Sequence, residues 1–415
     1  MNRSPRVAVL ITVDSKFDVA LHASHALKEA GASPWVLDLS LRPHTHLHAE
    51  LDTRAPLDHA GPEFAALHAM PRAEASQAMT EAGAATLRTA LASDDLCGVI
   101  GIGGANGSTM ACGMMRELPY LLPKAMITPV AATAAVQWYV AQSDIAMFPS
   151  IGDISLNRIT RSILENAARA ITAMSAADPR RSGQDTSSKP LIGVSTFGNL
   201  QMTVDRITSS LEQTGAEVIH FHASGPGGRA LESLALAGEL QGIIDLTTSE
   251  LADFVTGGVY SAGADRLTAA AQAGIPQVIV PGCLDFTNWW VGEVPARYHD
   301  REFYQYNREI LLMRTNRNEF AQLGRLFCDR LAHANGPFKV LIPMNGFSQM
   351  TKFPTQDIGG QEVGHWHQPD CDRVFVETMA AELGPDSMLT LDLHINDAEF
   401  AAAAVAALSA LLPML

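Results

Sequence analysis

Short apolar runs rich in Val, Ile and Leu alternate with helix-compatible stretches along almost the whole chain, which leaves few folds open. A strand covered by helices on both faces has no polar side and reads as a continuous apolar run, the mark of a parallel sheet. One set of such runs falls at 7–13, 34–39, 96–102, 124–130 and 145–149, with helix-like segments at 73–92 and 154–176. A second set falls at 191–196, 217–221, 242–246, 277–280, 339–342 and 389–393. Between them, SAADPRRSGQDTSSK at 175–189 loses hydrophobicity and gathers Pro, Gly, Ser and charge, as an exposed linker does. The expected architecture is α/β, with two tandem doubly wound, mostly parallel, Rossmann-like domains and a cleft between them. Its first domain spans 1–177, its linker 178–189 and its second domain 190–415.

Charge narrows the partners. Lys and Arg number 29 against 44 Asp and Glu, a formal charge of −15, so nucleic acid and anionic membranes are repelled on average. No stretch has the length of a membrane span, and 1–13 is too brief for a signal peptide with its cleavage site. The five cysteines form no CxxC pair, which argues against a disulfide framework or a structural zinc site and points to a reducing, cytoplasmic compartment.

Open α/β sheets bind ligands beyond the carboxyl ends of their strands, so the residues after each run matter most. After 96–102 come Gly103, Gly104, Ala105, Asn106, Gly107, Ser108 and Thr109, then a helix-compatible run to Leu118. Glycines allow a sharp turn and a close backbone approach, and free amides at a helix start favour an anion. No Gly-Lys-Ser/Thr follows and GxGxxG spacing is absent, so neither the P-loop nor the dinucleotide fingerprint applies. The alternative is an ordinary βα turn that needs two glycines. After the first run, Asp14, Ser15 and Lys16 offer an acid for magnesium and a base for phosphate, or simply a helix cap.

The runs GIGGANGSTMACGMMRELPYLLPKAMITPVA and SDIAMFPSIGDISLNRITRSIL resemble the glycine-rich segment of the Tm-1-like ATP-binding family. FHASGPGGRALESL, DLTTSELADFVTGGVYSAGADRL, GIPQVIVPGCLDF and LMRTN extend the resemblance through the second half. It implies two α/β domains with ATP and Mg2+ held in the first, and its tomato member blocks tobamovirus replication through a viral replication protein. Carried over by position, it implicates Asp14, Ser15, Lys16, Gly103, Gly104, Asn106, Gly107, Ser108, Thr109, Val130 and Ala131, with magnesium near Asp14. Asn106 replaces a family glycine, and Ala132-Thr133 stands where Ser-Gly is usual.

In the second half, His222 is followed by Gly225, Gly227, Gly228 and Arg229, a second glycine turn suited to a carboxylate or phosphate. Thr248, Ser249, Glu250 and Asp253 follow the next run. The runs 217–221 and 242–246 are consecutive in a βαβ unit, which predicts that both loops meet, with His222, Glu250 and Asp253 as acid–base candidates. Helix capping and a hydrogen-bonded structural histidine are the competing explanations. His44, His46 and His48, and likewise His365, His367 and Cys371, have donor spacing compatible with zinc, but both read as surface segments and no metal is expected from protein ligands alone. Trp289 and Trp290 suit a ligand wall or, more simply, buried packing. The apolar end 400–412 must pack on its own domain or across a homodimer. Three functions stay open: ATP binding coupled to an enzyme acting on a small anionic metabolite, a nucleotide-dependent protein-binding module, and a hydrolase or lyase using the second domain alone.

Overall fold

Val7, Val9 and Ile11 turn to one face of the first strand and Ala8 and Leu10 to the other, and all five are buried in separate clusters. That is the burial a strand needs when helices cover both sides of its sheet. The computed structural model describes residues 4–45, 51–67, 69–177, 189–383 and 387–413. The chain divides into two units, Met1–Ser187 and Ser188–Leu415. Apart from Lys189, the expected linker lies outside the described residues, as do His46 and His48.

The first unit contains β1 (Arg6–Ile11), β2 (Ser33–Asp38), β3 (Thr53–Arg54), β4 (Gly98–Ile102), β5 (Lys124–Thr128) and β6 (Ala146–Pro149). All neighbours are parallel, in the order β3-β2-β1-β4-β5-β6. Its main helices are α1 (Val13–Glu29), α2 (Pro62–Leu67), α3 (Arg72–Ala92), α4 (Ala105–Arg116), α5 (Val136–Val140) and α6 (Arg158–Ala176). Met79 and Leu87 of α3 and Met110 and Met114 of α4 fill one face of the sheet. Val19 and Ala20 of α1 and Leu164, Ala167 and Ile171 of α6 fill the other. Asn157 starts α6 by accepting the amides of Ile159 and Thr160, which satisfies two donors that have no partner within the helix.

The second unit contains β7 (Leu191–Thr196), β8 (Glu217–His222), β9 (Gly242–Thr247), β10 (Gln277–Gly282), β11 (Phe286–Trp290) and β12 (Phe303–Gln305). It continues with β13 (Ile310–Arg314), β14 (Phe338–Pro343), β15 (Pro354–Gln356), β16 (Glu362–His365) and β17 (Met388–Leu391). Six of these form a parallel sheet in the order β17-β14-β10-β9-β7-β8. Thus β7 lies between β8 and β9, which are not neighbours as the βαβ reading suggested. The remaining five form an antiparallel sheet, β11-β13-β12-β15-β16, which the apolar runs did not announce. Phe400, Ala404 and Leu408 of the last helix, Ala398–Leu411, pack with Val204, Ile207 and Leu211 in the core of this same unit.

Candidate functional site

In the first sheet the winding reverses between β1 and β4, and β1 pairs directly with both β2 and β4. Loops leaving neighbouring strands in opposite directions open a crevice at such a switch point. Here it has a volume of about 930 Å³. Thr12, Asp14, Ser15 and Lys16 line it from the end of β1, and Leu41 and Arg42 from the end of β2. Leu67 comes from the end of α2, Met70 from the connection, and Arg72 and Ala75 from the start of α3, and Asp153 also lines the crevice. Gly103, Gly104, Ala105, Asn106, Gly107 and Thr109 complete the wall.

The glycine turn is fixed by its backbone. Gly103 donates its amide to Ile127 O at 3.1 Å, and α4 makes its first turn when Ser108 N donates to Gly104 O at 2.8 Å. Gly104 is the N-cap and supplies no side-chain bond, so the amides of Ala105, Asn106 and Gly107 precede the first helical hydrogen bond. A Cβ on Gly103 would sit 2.9 Å from Gly107 Cα, so the tightness of the turn itself demands glycine there. Lys16 breaks the helical geometry of α1 with φ −138° and ψ 33°. The crevice therefore combines three cationic side chains, two carboxylates and a helix start.

Several residues singled out from the sequence sit differently from their neighbours. Ser108 is fully buried, and its hydroxyl donates to Gly104 O at 2.9 Å and shares a hydroxyl–hydroxyl bond with Thr128 Oγ1 at 2.8 Å instead of lining the crevice. Thr109 lines it while donating to Ala105 O at 3.1 Å. Asn106 accepts from Ser76 Oγ at 3.1 Å, which ties its amide to α3. Val130 and Ala131 belong to a short 3-10 turn, Pro129–Ala132, after β5 and are not among the lining residues. Beside the crevice, Asp38 Oδ1 accepts from Val13 N at 3.1 Å and Ser40 Oγ accepts from Asp14 N at 2.9 Å, so the end of β2 holds the start of α1.

In the second sheet the winding reverses at β7 and β9. The second glycine turn does meet the loop after β9, but through a carboxylate. Glu250 is fully buried and accepts the amides of Gly225 at 2.6 Å and Gly228 at 3.1 Å, at the start of the helix Pro226–Leu236. Arg266 Nε donates to its other oxygen at 2.7 Å and also forks onto both oxygens of Asp245, at 2.6 and 2.7 Å. Glu232 joins the same guanidinium at 3.1 Å. Burial pushes the Glu250 carboxyl up, and Arg266 works against that shift. Arg229 is part-buried and reaches the carbonyl of Ser261 at 3.4 Å.

Asp253 is buried, accepts from Asn288 N at 2.9 Å and from Asn288 Nδ2 at 2.8 Å, and burial pushes its carboxyl up to about 7. His222 is exposed and stacks on Phe197 at 5.2 Å, while its partial desolvation lowers the imidazole below its ordinary value. Thr248 donates to Val280 O at 2.9 Å. Four buried side-chain atoms at or after the ends of β7, β9 and β10 have no hydrogen-bond partner among the described residues: Asn199 Nδ2, Thr247 Oγ1, Ser249 Oγ and Asp285 Oδ1. Trp289 is buried in the antiparallel sheet, whereas Trp290 is 41% exposed and meets Tyr260 edge-on.

Two family models match the chain, the N-terminal domain of an uncharacterised protein family, UPF0261, over residues 5–180 and its C-terminal domain over 189–412. The chain belongs to the UPF0261 family. A UPF0261 protein of Rhizobium meliloti (strain 1021) is 38% identical over 410 residues, covering 97% of this chain and 98% of that one. One from Clostridium tetani is 32% identical, covering 96% of each. The ToMV resistance protein Tm-1(GCR237) of Solanum lycopersicum is 30% identical over 97% of this chain, which spans 55% of the tomato protein. The crevice lies within the UPF0261 N-terminal match and the Glu250–Arg266 network within the C-terminal one.

Proposed function

We propose that the first unit binds ATP with magnesium, its phosphates resting on the turn from Gly103 to Gly107. The observation that carries this reading is the open crevice at the β1/β4 switch point, where the uncapped start of α4 lies with Lys16, Arg42 and Arg72. Amides at a helix start and the positive end of its dipole favour phosphate oxygens, and Lys16 adds a charge-assisted contact. Asp14 lines the same crevice and would share a magnesium ion with those phosphates, in keeping with the preference of that ion for oxygen ligands and retained waters. The volume of about 930 Å³ lies within the range of small-molecule pockets, roughly 300–1,000 Å³. Calorimetric titration with ATP, ADP and AMP, with and without magnesium, tests it. Lys16→Ala should weaken ATP by about ten- to a hundredfold through loss of a bond worth about 1.5–3 kcal/mol. Absence of any nucleotide binding to the wild type rejects the reading.

An enzymatic role for the second unit would begin with the binding of a small polar metabolite, and the four unpartnered polar atoms at or after the ends of β7, β9 and β10 support that binding step, since buried polar atoms ordinarily have partners. A small polar metabolite at that edge would supply them. Screening small carboxylates and phosphates by thermal melting of wild type and Ser249→Ala tests this second reading. A shift present in the wild type and lost in the variant supports it. Homodimer formation is a separate part of the proposal, checked by light scattering.

A further inference from the structure

We propose that Asp38, His44 and His59 form a binding site for one divalent metal ion of the zinc class, at the end of β2. Asp38 is 1% exposed and its two oxygens are divided between tasks. Oδ1 accepts from Val13 N at 3.1 Å, Ser40 N at 2.9 Å and Ser40 Oγ at 2.5 Å, which fixes the plane of the carboxylate. Oδ2 faces His44 Nε2 at 2.6 Å and His59 Nε2 at 3.8 Å. The three donor atoms all lie within 4.8 Å of one another.

Tetrahedral zinc with ligands at about 2.0–2.2 Å places neighbouring donor atoms roughly 3.3–3.6 Å apart. The observed 2.6 and 3.8 Å bracket that spacing, so small rotations of two imidazoles suffice. His59 supplies a second, independent sign. Its Nε2 is buried and has no hydrogen-bond partner among the described residues, while the ring is held against Phe64 at 4.3 Å and edge-on to His44 at 5.5 Å. An ion entering here takes a lone pair from each Nε2 and from Oδ2. Each imidazole keeps one proton on Nδ1, any Nε2 proton leaves to solvent, and a water fills the fourth position.

The donor set discriminates between metals. Two imidazoles and one carboxylate suit zinc and its transition-metal neighbours, whereas magnesium prefers an all-oxygen shell. The site is therefore chemically distinct from a magnesium ion carried by a nucleotide, and it does not depend on nucleotide binding. Its position gives it a task. Leu41 and Arg42, between Asp38 and His44, line the crevice, and so does Leu67 at the end of the helix that carries Phe64. The ion would fasten both segments to the sheet.

Full-length chain stripped with a chelator is titrated with Zn2+ by calorimetry and with Co2+ by visible absorption, in the absence of nucleotide. One ion per chain and the intense bands of tetrahedral cobalt are expected. His59→Ala, which breaks no hydrogen bond to that ring nitrogen, should weaken zinc at least by the about 10- to 100-fold that loss of an outer partner costs. His44→Ala should do the same, and Ser40→Ala should weaken zinc by about tenfold through the carboxylate it orients. Circular dichroism confirms that each variant is folded. A wild type that takes up no zinc at micromolar concentrations overturns the site. So does zinc uptake unchanged in His59→Ala, or lost only on substitution of His365 or His367.

Discussion

The carboxylate of Glu250 accepts the Gly228 amide at 3.1 Å, in the place where the start of the helix Pro226–Leu236 would otherwise meet an external anion. A Cβ on Gly228 would come within 1.9 Å of Glu250 Oε2, so glycine is needed to admit the carboxylate. Arg266 then ties Glu250, Asp245 and Glu232 together from a fully buried guanidinium. Removing the cation leaves three acids facing one another without it. Arg266→Met is expected to cost about 3–5 kcal/mol, the range for breaking a buried pair, read as a fall in the urea midpoint. A change below about 1 kcal/mol would show that the network is not a staple of this fold.

Ser108 and Gly104 are adjacent to the same turn but should respond differently. Ser108→Ala removes a part-buried bond to Gly104 O and a buried one with Thr128 Oγ1, and should cost about 1–3 kcal/mol of stability with nucleotide affinity nearly intact. Gly104→Val places a branched side chain in open crevice space, where the nearest atom a Cβ meets is Asp153 Oδ1 at 3.8 Å. Stability should change little and nucleotide affinity should collapse. Melting curves and calorimetry on the two variants separate these outcomes, and the reverse pattern would refute the assignment.

Asp253 makes stability depend on pH. Burial raises its carboxyl from an ordinary 3.8 to about 7, so over that interval the folded chain holds a proton that the unfolded chain has released. Stability contributed by this group therefore falls as pH rises from about 4 to about 7 and is flat above, with a slope of up to about 1.4 kcal/mol per unit. Asp253→Asn should flatten that segment of the stability curve. An unchanged slope in the variant assigns the dependence to another group.

The last helix is structural to its own unit. Phe400 is fully buried beside Val204 and Leu211, and Phe400→Ala should cost about 3–5 kcal/mol by the lost transfer energy and the cavity left behind. Cutting the chain at Asp397 should expose that core and lower solubility. A truncated chain with an unchanged melting temperature would contradict the packing.

The interior parallel strands were legible because burial on both faces forces a continuous apolar run, whereas the edge strands β8 and β17 are partly exposed and carry polar residues; every run read from the sequence falls on a strand of one of the two parallel sheets. Strand order was not legible, since a strand run such as 191–196 carries no mark of its neighbour. In the antiparallel sheet Phe303–Gln305 and Pro354–Gln356 are three residues long and partly polar, too short for a period to register, and the apolar Ile310–Arg314 carries no mark of antiparallel pairing. At the first crevice, Asp14, Lys16 and the glycines follow directly from strand ends, which sequence displays. Arg42, Arg72 and Asp153 reach it through folding alone. Glu250 read equally as a reactant or a cap because both uses put an acid near a helix start. His59 gave no signal at all: its partner Asp38 is distant in sequence and no repeat links them.

The places of the two glycine turns bear on how the halves can be aligned. Both sheets set their first strand beside the second, β1 between β2 and β4 and β7 between β8 and β9, so winding alone does not separate the halves. Their glycine turns, alike in letters, are nevertheless not counterparts. The first leaves an interior strand beside the reversal point, and the second leaves β8 at the margin of its sheet. Aligning one half onto the other by these motifs would superimpose an interior strand on an edge strand.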